Sequence, residues 1–328
     1  MEIKIIRPKS EGLFKGFDSG RKCSGNQKQV LESVNTHENR KGVDDGEKIN
    51  KICEIMSELN DLIGLHSVKK LVFEILAFIE IQKKRQVEKL VSEPLVLHMI
   101  FKGNPGTGKT TVARYLGNLF RQMNVLSKGH LVEAERADLV GEYIGHTAQK
   151  TRELLKKTYG GILFIDEAYS LARGGEKDFG KEAIDVMVKA MEDQKDNLIL
   201  ILAGYNHEMD EFLNTNPGLK SRFPIHIDFP DYTVSELSDI ADLMLKRRQY
   251  SLSPSAQESL KKIIELKTGR GHEFSGNARL VRNLIEKAIR RQAVRLINKE
   301  TVTREDLLII EDSDIIEARI RCLANVNF

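Results

Sequence analysis

Cysteine, an excess of either charge, and long apolar runs are what this chain has little of. Only three cysteines occur in 328 residues: Cys23, Cys53 and Cys322. They are widely spaced, form no metal or redox motif, and suit a reducing cytosol. The 51 basic and 48 acidic side chains leave a net charge of +3, so bulk basicity gives no argument for nucleic acid. No apolar run approaches the length that spans a bilayer, and the opening MEIKIIRPKS lacks a signal-peptide core. A cytoplasmic location with no membrane partner is therefore the default expectation. Repeats and low-complexity tracts are missing as well. What remains, 41% apolar and 30% charged residues, has the composition of an ordinary globular protein. Its length allows one sizeable α/β core and a smaller second domain.

Residues 1–48 are polar and irregular, with Ile3, Ile5 and Ile6 as the apolar cluster. They bury little, so a mobile extension is expected, a plain tail before a partner-binding arm. From Ile49 the spacing turns helical (Ile52, Ile55, Met56, Leu59), and a longer helix follows with Val68, Leu71, Val72, Ile75, Leu76 and Ile79 on one face. Its basic end, Lys83-Lys84-Arg85, reads as a solvated charge run at a helix C-terminus. Helix and strand then alternate to about residue 231, which predicts a mainly parallel five-stranded sheet. The expected strands are 96–101, 130–134, 162–165, 198–203 and 225–229. Beyond Tyr232 the pattern is all-helical, with apolar stripes around Leu237–Leu245, Leu260–Leu266 and Val281–Ile297, then a segment at 303–320. The domain expectation is an α/β nucleotide-binding domain at 49–231 and a helical lid with a tail at 232–328.

The chemistry begins at Gly103-Asn104-Pro105-Gly106-Thr107-Gly108-Lys109-Thr110, between a predicted strand and a predicted helix. Strand, glycine loop and helix form the context in which this spacing cradles phosphates: glycines let successive N–H groups curl inward, and the helix N-terminus adds positive potential. Lys109 can reach the β- and γ-phosphates of ATP and the Thr110 hydroxyl can hold Mg²⁺. Asn104, Pro105, Gly106, Thr107, Gly108, Lys109, Thr110 and Thr111 are the candidate nucleotide-binding residues. The apolar run Ile162–Ile165 ends in Asp166-Glu167, at the carboxyl end of a strand, where α/β proteins place ligands. Asp166 can hold Mg²⁺ and Glu167 can polarise an attacking water. The strand 198–203 runs into Gly204-Tyr205-Asn206, and Asn206 is the candidate for a polar group beside the γ-phosphate, an Asn turn being the alternative. Arg222, just before the last strand, would by itself be read as a surface charge. Arg279 opens the third helix of the lid.

Taken together, GNPGTGKT, ILFIDE, AGYN, SRF and GNAR stand in the order and spacing of AAA+ ATPases, which this chain resembles over residues 50–300. With DLVGEYIGHTAQKT and the stretch 166–193, it is similar to the branch that contains stage V sporulation protein K and red-type Rubisco activase, the former more so. The resemblance implies that Ile63, Gly64 and Leu65 line an adenine pocket. It makes Glu167 the water-activating carboxylate, Asn206 the first sensor and Arg279 the second. Arg222 would be a finger inserted into a neighbouring subunit's site, so the first partner is a second copy of the chain in a ring, expected to be a hexamer. Tyr143, Ile144 and Gly145 would form a pore loop gripping a protein client, against the plainer reading of Tyr143 as a turn tyrosine. The expected function is an ATP-driven protein remodeller with a role in spore formation. Its rivals are a Rubisco activase and a nucleotide-switched scaffold or nucleic-acid motor. Near-neutral charge and an aromatic pore segment stand against the motor.

Overall fold

The computed structural model describes residues 44–92, 96–143, 145–173, 179–215, 217–268 and 276–324, and the chain divides into two units after Leu62. The expected extension therefore lies outside the described residues as far as position 43. In the first unit α1 spans Asp44–Asn60, with Ile52, Ile55, Met56 and Leu59 spaced along one face. It begins ahead of Ile49, the first residue of the apolar spacing, because the paired Asp44 and Asp45 suit the positive end of a helix dipole.

The second unit opens with α2 (His66–Val87), whose buried face carries Val68, Val72, Ile75, Leu76 and Ile79 as the spacing predicts. It continues with β1 (Met99–Gly103), α3 (Lys109–Gln122), β2 (Leu131–Ala134), α4 (His146–Thr158), β3 (Gly161–Ile165), α5 (Gly180–Asp193), β4 (Leu198–Gly204), α6 (Asn206–Thr215) and β5 (Ile225–Phe229). The five strands form one sheet in the order β2-β3-β4-β1-β5, and every pairing is parallel. The register sets Met99 against both Ile201 and Ile225, so the strand feeding the glycine loop is held on both sides. β3 and β4 are buried throughout, as strands covered on both faces require. Ile100, Leu163, Leu200 and Leu202 pack there with Ala183, Met187 and Met191 of α5 and Phe212 of α6.

Then come α7 (Val234–Arg247), β6 (Ser251–Leu252), α8 (Pro254–Thr268), α9 (Asn277–Ile297), β7 (Ile309–Ile310) and α10 (Asp312–Ala324). Thr233 and Glu236 close a capping box at the start of α7. A separate core joins Leu237, Ala241 and Leu245 of α7 to Leu260 and Ile264 of α8 and Val281, Leu284 and Ala288 of α9. The all-helical expectation for this region needs one correction: β6 and β7 pair in parallel, Ser251 opposite Ile309. Ile309-Ile310, two β-branched residues between a one-turn helix at Arg304–Leu308 and α10, supply one side of that ladder. The side-chain amide of Gln292 donates to the Asp306 and Ile309 carbonyls, while Arg295 grips the buried Asp314 through two nitrogens at 3.0 and 2.9 Å.

Two local readings change. Lys83 is not part of a solvated run: it is half-buried, donates to the Met123 carbonyl, and burial lowers its pKa. β1 also begins at Met99 rather than Val96. The Leu200 amide donates to the His98 ring nitrogen Nδ1 at 3.1 Å, a side chain standing in for a backbone acceptor, and the ladder starts one residue later.

His98 is 4% exposed, and burial pulls its pKa down to about 4. Because the folded value lies below the unfolded one, the unfolded chain takes up the proton first. The neutral ring's contribution is complete above pH about 6.5 and is lost as the pH falls toward 4. Between pH 7 and pH 5 the unfolding free energy is expected to drop by about 2 kcal/mol more in the native chain than in His98→Asn. Parallel urea-denaturation profiles for the two would remove His98 as the cause.

Candidate functional site

Parallel register brings the carboxyl ends of β1, β3 and β4 to one edge of the sheet, and a cavity of about 360 Å³ opens there. Its wall is built from Pro105, Gly106, Gly108, Lys109, Thr110 and Thr111 of the glycine loop and α3. Asp166 and Glu167 after β3 join it, with Gly204 and Tyr205 at the end of β4 and Ala278 and Arg279 of α9. Motifs up to 174 residues apart in sequence thus share one space.

Inside the loop, Lys109 Nζ donates to the carbonyls of Gly103 at 2.7 Å and Asn104 at 2.9 Å. Burial lowers the Lys109 pKa, opposed by the Asp166 charge. The hydroxyl of the fully buried Thr107 donates to the Asn104 carbonyl at 2.8 Å, closing the turn from within. Gly108 adopts φ 97° as the residue preceding α3. Gly106 is at φ +76°, and a Cβ there would lie 2.4 Å from the Gly276 carbonyl and 2.9 Å from the Arg279 nitrogen. Loop and lid helix meet backbone to backbone at that glycine.

The acidic pair is held by its turn. Glu167 takes φ 47°, a left-handed conformation uncommon outside glycine, and its N–H donates to Asp166 Oδ1 at 3.1 Å. Strain of this kind gathers at functional sites. Glu167 is exposed toward the cavity while Asp166 is half-buried. Tyr205 stacks on Tyr169 with centroids 5.9 Å apart, and Arg173 lies 4.7 Å from the centre of the Tyr169 ring. Burial first, and then the Glu167 charge, raise the Tyr205 pKa.

The other candidates are placed less uniformly. Asn206 is the exposed first residue of α6; the side chain on the cavity wall is Tyr205. Ile63 packs on the lid core together with Tyr232. Gly64 lies against Glu236 and Tyr232, and Leu65 reaches the flank of Gly108, so these three sit behind the loop rather than on the cavity wall. Arg222 is off the wall too. It donates to the Gly218 carbonyl at 2.9 Å and to Glu192 at 2.5 Å, beside a second cavity that includes His98. Tyr143 is 65% exposed with the His146 ring edge-on at 5.4 Å, and Gly145 starts α4 at φ 82°. Ile144 lies outside the described residues.

Six lining residues were not among the candidates: Arg114, Glu133, Gly204, Tyr205, Ala278 and Arg282. Arg282 had a signal, since it follows Arg279 by one helical turn. Arg114 and Glu133 pair at 2.7 Å across α3 and β2, a contact that needs the sheet order. The residues fit a magnesium–nucleotide: Thr110 and Asp166 put two oxygen donors on one wall, and Mg²⁺ bound with phosphates takes only one or two protein ligands.

Gly106→Ala tests the meeting of loop and lid. The left-handed backbone alone costs an alanine roughly 1–3 kcal/mol, or about five- to 150-fold in affinity. Titration with a non-hydrolysable ATP analogue is expected to show weakening in that range or beyond; native affinity would mean that the binding state keeps neither this left-handed turn nor its close approach to α9.

Comparison with known proteins agrees with this geometry. Residues 99–231 match the ATPase family associated with various cellular activities (AAA), and residues 233–323 match the AAA lid domain. Stage V sporulation protein K of Bacillus subtilis is 59% identical over 263 residues, covering 80% of this chain and 82% of that protein. The chloroplastic ribulose bisphosphate carboxylase/oxygenase activase of Cyanidioschyzon merolae is 44% identical, covering 83% and 94%. Protein CbbX of Cereibacter sphaeroides is also 44% identical, covering 81% and 87%. Among solved structures, the RuvB Holliday junction branch migration motor of Thermotoga maritima aligns with a TM-score of 0.51 over 80% of this chain and 71% of that one. At 19% identity it speaks for the fold alone. With an AAA domain, an AAA lid and relatives of this identity along most of its length, the chain belongs to the AAA+ ATPases, in the branch of stage V sporulation protein K and CbbX, and is an ATP hydrolase.

Proposed function

We propose that the chain works as a ring, expected to be a hexamer, in which ATP hydrolysis drives the remodelling of a protein client at a central pore. Lys109 and the loop N–H groups hold the β- and γ-phosphates, and Glu167 orients and polarises the attacking water. Thr110 and Asp166 are the donors for Mg²⁺, which when bound neutralises charge on the phosphates. Arg279 faces the phosphates from the lid. The end of β4 contributes Tyr205 on the wall, with Asn206 at the rim as the first-sensor candidate. Ile63, Gly64 and Leu65, beside Gly108 and Tyr232, are the proposed adenine contacts.

The position of Arg222 carries this reading. It lies outside its own chain's cavity, a third exposed, at the end of a loop before β5. A cation so placed reaches a γ-phosphate only in a neighbouring copy, and such a finger is worth roughly 10³–10⁵ in rate. Arg222→Ala is therefore expected to abolish hydrolysis in uniform assemblies. Mixing it with Lys109→Ala subunits should restore part of the turnover, since some sites then combine an intact Lys109 with a neighbour's intact Arg222. Mixtures as inactive as the parents would argue against a finger in trans.

Tyr143 supports a client-gripping role, being exposed at the end of a segment otherwise pinned to α4. Thr151 Oγ1 donates to the Leu139 carbonyl, and Thr147 Oγ1 accepts from the Gly141 N–H, both at 3.0 Å. Apolar and aromatic contact tolerates many client sequences. Identity of 59% to the sporulation protein, against 44% to the activases, favours a role in spore formation over a Rubisco client. A nucleic-acid motor has only the fold likeness at 19% identity behind it. In an endospore-forming host, a Tyr143→Ala allele is expected to lower the count of heat-resistant spores as far as deletion does, while the purified variant still hydrolyses ATP. Normal spore counts from that allele would sink the pore reading.

A further inference from the structure

The lid helix does not simply lean on the glycine loop; it is tied to it by a set of bonds that no motif assigns. Asn277, the first residue of α9, is fully buried and holds φ 44°. Its Oδ1 accepts from the Tyr232 N–H at 3.0 Å. Its Nδ2 donates to the Pro105 carbonyl at 3.3 Å and to Asp231 Oδ1 at 2.8 Å. The same Asp231 carboxylate accepts from Asn104 Nδ2 at 3.0 and 2.9 Å. An amide from the loop and an amide from the lid thus share one carboxylate. That carboxylate sits in the short connection between β5 and α7, where the chain passes from sheet to lid. Two more bonds run alongside: the Ala278 N–H donates to the Gly106 carbonyl at 3.2 Å, and the Tyr232 hydroxyl to the Thr107 carbonyl at 3.1 Å.

We infer that Asn104, Asp231 and Asn277 form a latch that positions Arg279 over the phosphate loop, with Asp231 as its keystone. The carboxylate is the group that both amides need, and hydrogen bonds to a charged acceptor are roughly twice as strong as neutral ones. Two residues beyond Asn277 on the same helical turn, Arg279 lines the cavity, so the bonds at the start of α9 set where its guanidinium stands. Asp231 and Asn277 touch no substrate and act through Arg279 and the loop. The inference rests on the proposed phosphate-facing role of Arg279.

The test uses the full-length enzyme and Asp231, which is exposed, so that its replacement spares the core. Asp231→Ala is expected to lower kcat for ATP about tenfold, the scale of one lost hydrogen bond to a charged group. Binding of a fluorescent ATP analogue should change by less than about threefold, since ground-state contacts to the loop remain. Asp231→Asn should recover most of the turnover. Both amides contact Oδ1, which an asparagine keeps, and the Asn104 amide can turn its oxygen toward the new NH₂. In an Arg279→Ala background, Asp231→Ala should add nothing further. Full kcat in Asp231→Ala, no recovery in Asp231→Asn, or a loss that persists without Arg279 would each overturn the latch. Unchanged turnover in Arg279→Ala alone would instead overturn the reading of that arginine, and any Asp231→Ala defect then remaining counts against the latch as well.

Discussion

The structure depends on where five consecutive carbonyls point. Each oxygen from Gly103 to Thr107 has a donor: Lys109 takes Gly103 and Asn104, Asn277 takes Pro105, the Ala278 amide takes Gly106, and the Tyr232 hydroxyl takes Thr107. In a trans peptide the N–H points opposite to the C=O. Tying the oxygens to the lid therefore turns the amides of the same peptides the other way. A glycine loop left to itself has many conformations, and glycine loses the most freedom on ordering. Here Lys109 and the lid together supply the donors that select one. The phosphate cradle is a joint product of a strand-loop-helix unit and a helix that begins some 170 residues later.

That dependence explains why the sheet order matters to the site. β1 lies between β4 and β5, and β4 separates it from β3. Asp166-Glu167 and Tyr205 therefore end up on one flank of the loop. On the other flank β5 leads straight through Pro230 into Asp231 and Tyr232, which reach back to the loop. A strand order that moved β5 from the edge beside β1 would put Asp231 out of reach of Asn104. His98 contributes at the opposite end of the strands. By accepting the Leu200 N–H and meeting the Phe223 ring at 5.8 Å, it fastens β1 to β4 and to the residue after Arg222.

Much of this was legible without coordinates, for identifiable reasons. The glycine loop and Asp166-Glu167 were readable because phosphate chemistry allows few residue types at those spacings, whereas Arg279 took its expected role from the family resemblance alone. β1, β3 and β4 were readable because buried parallel strands are nearly continuous apolar runs, and the edge strand β5 because Ile225, Ile227 and Phe229 alternate with polar residues. Asp231 was not, since an aspartate before a helix is an ordinary turn residue and its partners stand 127 and 46 positions away in sequence. Polarity points to Asn206 at the end of β4, whereas the fold sets its neighbour Tyr205 on the cavity wall. Lys83-Lys84-Arg85 shows the same limit: a run of three charges has no single environment on a helix, and two of the three reach carbonyls, Lys83 that of Met123 and Arg85 that of Val91. The two-residue ladder of β6 and β7 is too short to leave a periodic signal.

The pairing of Arg222 with Glu192 bears on how a site shared between copies would be switched. In the single chain the guanidinium has two acceptors, so it is not idle. The carboxylate it holds is more than half exposed, at 60%. Exposed pairs of this kind are worth about 0–1 kcal/mol, because water solvates both partners and the side chains lose freedom in meeting. A γ-phosphate in a closed cleft is a far stronger acceptor, as its charge is larger and water is excluded. On the ring reading, the Glu192 pair is weak enough to be surrendered on assembly. The same asymmetry governs both ends of the site. On that reading, Arg279 is positioned from within the chain by the charge-assisted bonds around Asp231, whereas Arg222 is held by an exposed pair until a second copy offers its phosphate.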